Sequence, residues 1–159
     1  MLRYLIAGGA IAAAAAAVAW WVTGQKPPSV TSFRQPAAVD LARGEALYGE
    51  YCSSCHGADL QGQPDWRTAG ADGRLPAPPH DETGHTWHHP DRVLFDYTAL
   101  GGKEALAKDG IEFDSGMPGF GEALDDQDIW NIIAFIKSTW PERQRNVQAE
   151  RTAADLAGS

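Results

Sequence analysis

Residues 41–56 read LARGEALYGEYCSSCH, and this stretch decides the fold. Cys52 and Cys55 stand three positions apart and His56 follows directly, the spacing of a covalently attached c-type haem. Each thiol adds across one haem vinyl group, and the neighbouring imidazole offers a ring nitrogen to the iron. These are the only two cysteines in 159 residues. A disulfide or a thioredoxin-like redox pair would account for the thiols but would leave His56 unexplained, and no strand–helix alternation surrounds the motif. Upstream, Asp40 suits the N-cap of a helix. Leu41, Leu47, Tyr48 and Tyr51 fall at roughly helical spacing, so the motif is delivered at that helix's C-terminal end. Gly44 lies inside it at a cost of about 1 kcal/mol relative to alanine, which points to close approach by another helix as the compensation.

Further along, Pro90 can occupy the first turn of a helix from Asp91 to Leu100, stopped by Gly101 and Gly102. Leu94, Phe95, Tyr97 and Leu100 supply its apolar positions. The best-marked helix begins at Asp125, with Asp128 three residues on as a capping-box analogue and Leu124 and Ile129 as a hydrophobic staple. Ile129, Ile132, Ile133 and Ile136 form one face, widened by Trp130, Phe135 and Trp140, and Pro141 ends the element because its ring cannot continue the helix. No segment alternates at period two and nothing repeats. The fold class is therefore all-α, one small domain over residues 38–140 with the haem supplying much of its core. The tail, residues 141–159, has only Val147, Leu156 and alanines as apolar positions, and reads as a frayed helix or disorder.

The sixth iron position separates a carrier from an enzyme. Met1 is the initiator, so Met117 is the one available thioether, in the loop Gly116-Met117-Pro118-Gly119-Phe120. Its glycines and proline enforce an irregular backbone of the kind needed to fold over a haem face, and a soft thioether suits haem iron and raises its potential. His56 and Met117 are the expected iron ligands. The segment 80–89, HDETGHTWHH, holds four histidines in ten residues. Copper or zinc binding and replacement of Met117 by one of these imidazoles are the minor readings. The main one has solvated histidines, with Trp87 covering a haem edge or giving its indole proton to a propionate, and Trp66 as a second candidate for that role.

On these motifs the chain resembles a class I monohaem cytochrome c of the membrane-anchored bacterial type, from about Ala38 to Trp140. The resemblance implies helices packed around one covalent haem, with the first and last helices crossing where Gly44 and Tyr48 meet Phe135 or its neighbours. It also implies a proline carbonyl that accepts the axial histidine's proton, best matched by Pro78. Here the chain departs from the family, which often has an apolar residue two places after that proline; His80 stands there instead.

Ahead of the domain, residues 5–22 carry no charge. At ~1.5 Å per residue they span roughly 27 Å, near the thickness of a bilayer core. Arg3 before the run and Trp20 and Trp21 at its end favour a retained anchor over residues 1–23, with a cytoplasmic N-terminus and everything after Gly24 outside. Cleavage after Ala17-Val18-Ala19 is the competing reading, and it would leave a soluble periplasmic protein. Residues 24–37, with Pro27, Pro28 and Pro36, form a linker reaching on the order of 40 Å.

The chain carries 13 basic and 21 acidic side chains, and Arg3 is the one basic residue of the anchor. Such an acidic balance argues against nucleic acid and suits basic redox partners. The expected function is one-electron transfer by a six-coordinate haem c between membrane or periplasmic redox partners, without catalytic residues or a small-molecule substrate. A permanently docked subunit of an oxidase or dehydrogenase complex is the alternative, and a haem peroxidase or gas-binding protein a remoter one.

Overall fold

The computed structural model describes residues 33–158. The expected anchor, residues 1–23, and most of the linker lie outside the described residues. Within them the chain is helical, without strands. No helix there is long and apolar enough to cross a membrane.

Helix α1 (Leu41–Tyr51) starts where Asp40 takes an extended conformation and its carboxylate accepts the Arg43 N–H at 3.0 Å. The chain turns at Cys52 into the single turn α2 (Ser53–His56), closed by Gly57 at φ +83°. A long loop with one 3₁₀ turn (Thr86–His88) leads to α3 (Asp91–Leu100), which begins just after Pro90 as the sequence predicts. Gly101, at φ +85°, turns the chain directly into α4 (Gly102–Lys108). This short helix is absent from the sequence reading, because two adjacent glycines mark a stop rather than a start. Helix α5 (Asp126–Ser138) has the predicted cap, the Asp125 carboxylate accepting the Asp128 N–H at 2.8 Å.

Helices α1 and α5 cross at Gly44. A Cβ placed there would lie 2.6 Å from the Asn131 carbonyl carbon and 3.0 Å from the Phe135 Cβ. Only the absence of a side chain allows this approach. Tyr48 then packs on Phe135 with ring centroids 5.6 Å apart. Polar contacts fix the register: the Asp40 N–H donates to Asn131 Oδ1 at 2.9 Å, and Arg43 grips Asp128 through Nε at 2.8 Å and Nη2 at 2.6 Å. Beneath the crossing lie Leu47, Tyr48, Ile129, Trp130, Ile132, Ile133, Ile136 and Trp140, with Phe95 of α3 against Trp130.

The tail corrects the sequence reading most. Residues Glu142–Ala157 form a sixteen-residue helix, α6, with Pro141 as its N-cap. Its buried face is polar, which is why hydrophobic periodicity misses it. Gln148 is 1% exposed and Thr152 4%. Gln148 donates to Asp91 Oδ1 at 2.7 Å, Thr152 Oγ1 accepts the Asp91 N–H at 3.0 Å, and Lys137 donates to Oδ1 at 2.8 Å. The other carboxylate oxygen accepts the Gln35 N–H at 2.8 Å. Ordered contacts thus reach at least as far as Gln35, ahead of the expected domain start at Ala38. Burial alone would raise the Asp91 pKa, but the Lys137 ammonium and the bonds from Gln35 and Gln148 outweigh it and hold the carboxyl below its ordinary value.

Candidate haem site

Helix α1 delivers Cys52, its C-cap, to a cavity of about 860 Å³, and α2 adds Cys55 and His56 to the same lining. That volume lies in the range of cofactor sites, about 300–1,000 Å³. His56 is 6% exposed, and its Nδ1 lies 2.8 Å from the Pro78 carbonyl oxygen. A carbonyl only accepts, so Nδ1 carries the proton and donates. Nε2 keeps its lone pair, the form that ligates a metal. Burial lowers the His56 pKa and the Pro78 carbonyl partly offsets it, leaving the ring neutral near pH 7.

The loop that presents Pro78 is held from both sides. Gln63 N–H donates to the Ala77 carbonyl at 2.9 Å, and the Ala77 N–H donates back to Gln63 Oε1 at 3.0 Å. Gly62, at φ +68°, lets the backbone lie directly on Pro78 and Pro79. Gly62 and Gln63 are functional residues that the sequence reading does not single out; the glycine is the one local signal that could have found them.

Met117 lines the same cavity. Its loop is laid on the end of α3. The Met117 carbonyl accepts the Gly102 N–H at 3.1 Å, and the N–H groups of Phe120 and Gly121 donate to Thr98 and Ala99, both at 2.9 Å. Ser115 Oγ accepts the Met117 N–H at 3.2 Å. Gly101 and Gly119 permit the contact, since a side chain on either would strike the opposing backbone. The apolar lining comes from Val93 and Leu94 of α3, Ile132, Ile133 and Ile136 of α5, and Phe120.

Trp87 is not among the lining residues. Its indole N–H donates to the Glu82 carbonyl at 3.3 Å and its ring stacks on His88, so the geometry gives it neither a haem edge nor a free donor. Trp66, the second candidate, does reach the cavity. It lines the cavity with His85 and His89, stacked on His85 at 5.2 Å and covered by the Arg67 guanidinium at 3.9 Å. Burial lowers the His85 pKa, and burial with repulsion from His85, His88 and Arg151 takes His89 down to about 4. Among the described residues no group of three or more His, Cys, Asp or Glu side chains could hold a separate metal ion. His80 stacks on His56 with ring centroids 3.9 Å apart. A ring lying beside His56 cannot ligate the opposite side of the same iron, so it is no substitute for Met117.

The buried Cys52 thiol is not poised for thiol redox chemistry. Burial, with the neighbouring Cys55, pushes the Cys52 thiol up to about 12, whereas redox-active pairs have depressed values. The donor set fits a haem: two thiols, a neutral imidazole with its tautomer fixed, and a thioether that lines the same largely apolar cavity.

Residues 41–140 match the family model for cytochrome c. The chain belongs to the cytochrome c family. It is also 34% identical, over 116 residues, to a thiosulfate dehydrogenase of Allochromatium vinosum. That alignment covers 72% of this chain and 36% of the relative, so the chain spans about a third of the length of the protein it matches. Membership brings a covalently bound haem c, and with it electron transfer through the haem. The group supplies the one-electron couple. The protein's part is to hold the His56 imidazole neutral and oriented and to line the site with apolar side chains that would govern solvent access and potential.

Proposed function

We propose that this cytochrome is a one-electron carrier of the class I type, its six-coordinate haem c tethered through Cys52 and Cys55 and ligated by His56 and Met117. The observation that carries the reading is the His56–Pro78 hydrogen bond in a cavity that Met117 also lines. Leu75, Ile111 and Phe113 line that cavity and are exposed, an apolar rim suited to transient contact with redox partners. Residues 1–23 hold the domain at the outer face of a bacterial cytoplasmic membrane, in the periplasm, where it passes electrons between membrane or periplasmic complexes. Tethering raises effective concentration at those complexes without any new contact.

The test is optical. The oxidised protein shows a sulfur-to-iron charge-transfer band that Met117→Leu abolishes; a wild type lacking the band refutes the ligand assignment. The likeness to a thiosulfate dehydrogenase favours a second reading, a haem domain serving thiosulfate oxidation. On the carrier reading the purified protein with an artificial electron acceptor does not turn over thiosulfate, and turnover by the intact chain decides for the second.

A further inference from the structure

The place after Pro78-Pro79 carries an imidazole, and its surroundings are specific. The His80 ring lies on His56 with centroids 3.9 Å apart and planes within 19°. Tyr48 meets it edge-on at 6.0 Å. The backbone leaves it no freedom to slide: the His80 N–H donates to the Leu60 carbonyl at 2.7 Å, and its own carbonyl accepts the buried Trp140 indole N–H at 2.7 Å. Nδ1 is buried with no hydrogen-bond partner among the described residues. Orphaned buried N–H groups are rarer than under-used acceptors, so the proton belongs on Nε2. A polar ring with an unmet acceptor is costlier here than an aliphatic side chain of similar size. Its flat shape is what the position uses.

We propose that His80 is a positioning residue for the axial imidazole, its stacked ring acting with the Pro78 carbonyl to fix the rotation of His56 about its bond to iron. This rests on His56 being the axial ligand. The hydrogen bond to Pro78 is insufficient alone, because carbonyl acceptors tolerate a broad range of donor directions and the ring can swing while keeping the bond. A parallel ring at van der Waals distance removes that swing; the lobes of an aliphatic side chain do not. The plane of an axial imidazole selects which iron orbital shares its unpaired spin with the porphyrin. The orientation is therefore written in the pattern of haem methyl resonances of the oxidised protein.

Proton NMR of the oxidised holoprotein tests this on wild type, His80→Phe, His80→Leu and His80→Gln. Phenylalanine keeps a flat ring, leucine keeps volume, and glutamine keeps polarity. The expected result is that Phe preserves the wild-type order and spread of the four methyl resonances while Leu and Gln shift or reorder them, with the charge-transfer band retained throughout. Should Leu fail to load haem, Phe against Gln makes the same comparison. A wild-type pattern in Leu or Gln, or a Phe pattern displaced like theirs, overturns the proposal. Failure of the underlying ligand reading looks different: the wild type itself then lacks shifted axial-imidazole ring protons.

Discussion

Gly44→Ala tests the helix crossing on which the site is built. The added Cβ would sit 2.6 Å from the Asn131 carbonyl carbon, nearer still to its oxygen, and 3.0 Å from the Phe135 Cβ. Ordinary contact begins near 3.4 Å. No rotamer relieves a clash with backbone, so α1 and α5 must part by at least about 0.8 Å, a gap that forfeits a quarter to a half of each contact's attraction around the crossing. Overpacking of this kind costs about 1–3 kcal/mol before that loosening, while alanine returns about 1 kcal/mol of helix propensity. With about 1 kcal/mol added for the loosening, the net is about 1–3 kcal/mol of destabilisation, or a Tm lower by roughly 5–15 °C. Gly49 on the same helix is the control: a Cβ there meets nothing within 4 Å. Gly49→Ala should stabilise by about 0.5–1 kcal/mol. Circular dichroism melts of the oxidised holoproteins measure both. A Gly44→Ala protein as stable as wild type, or two variants moving in the same direction, refutes the close-contact argument.

The buried carboxylate of Asp91 supplies a pH signature. Its folded-state pKa lies below the ordinary 3.8, so its contribution is complete above that value and is lost as pH falls through the folded-state value. Asp91→Asn should cost about 2–3 kcal/mol at pH 7, less than a fully buried pair because Lys137 keeps some exposure, and denaturation curves should show the deficit shrinking below pH ~4. Truncation after Trp140 removes the Gln148 and Thr152 partners of Asp91 and should lower stability by about 2–4 kcal/mol in urea titrations. The charge-transfer band should persist, since α6 contributes nothing to the cavity lining. Finally, the reduced wild-type protein should not bind carbon monoxide at neutral pH, whereas Met117→Ala should; Soret difference spectra decide, and rapid binding by the intact protein points to gas or peroxide chemistry.

The local chemistry was legible in the chain alone. The Cys52, Cys55 and His56 spacing names the cofactor because covalent attachment and ligation are constrained over five residues, and the caps at Asp40 and Asp125 announce their helices because a cap acts within one turn. Gly44 flagged a close approach without naming the partner. Folding decided what depends on distant residues meeting. Trp87 and Trp66 are equivalent by composition, yet only Trp66 reaches the cavity, because the indole of Trp87 is satisfied within its own turn by Glu82. Helix α6 carries no apolar stripe to read; its docking rests on a carboxylate fifty-seven residues away from Gln148. His80 stood out in the sequence only as a departure two places after Pro78, and its role stayed unreadable until the fold laid it on His56. Sequence patterns report interactions between near neighbours, whereas burial of polar groups in mutually satisfying sets leaves no periodic trace and is fixed only when the tertiary structure closes.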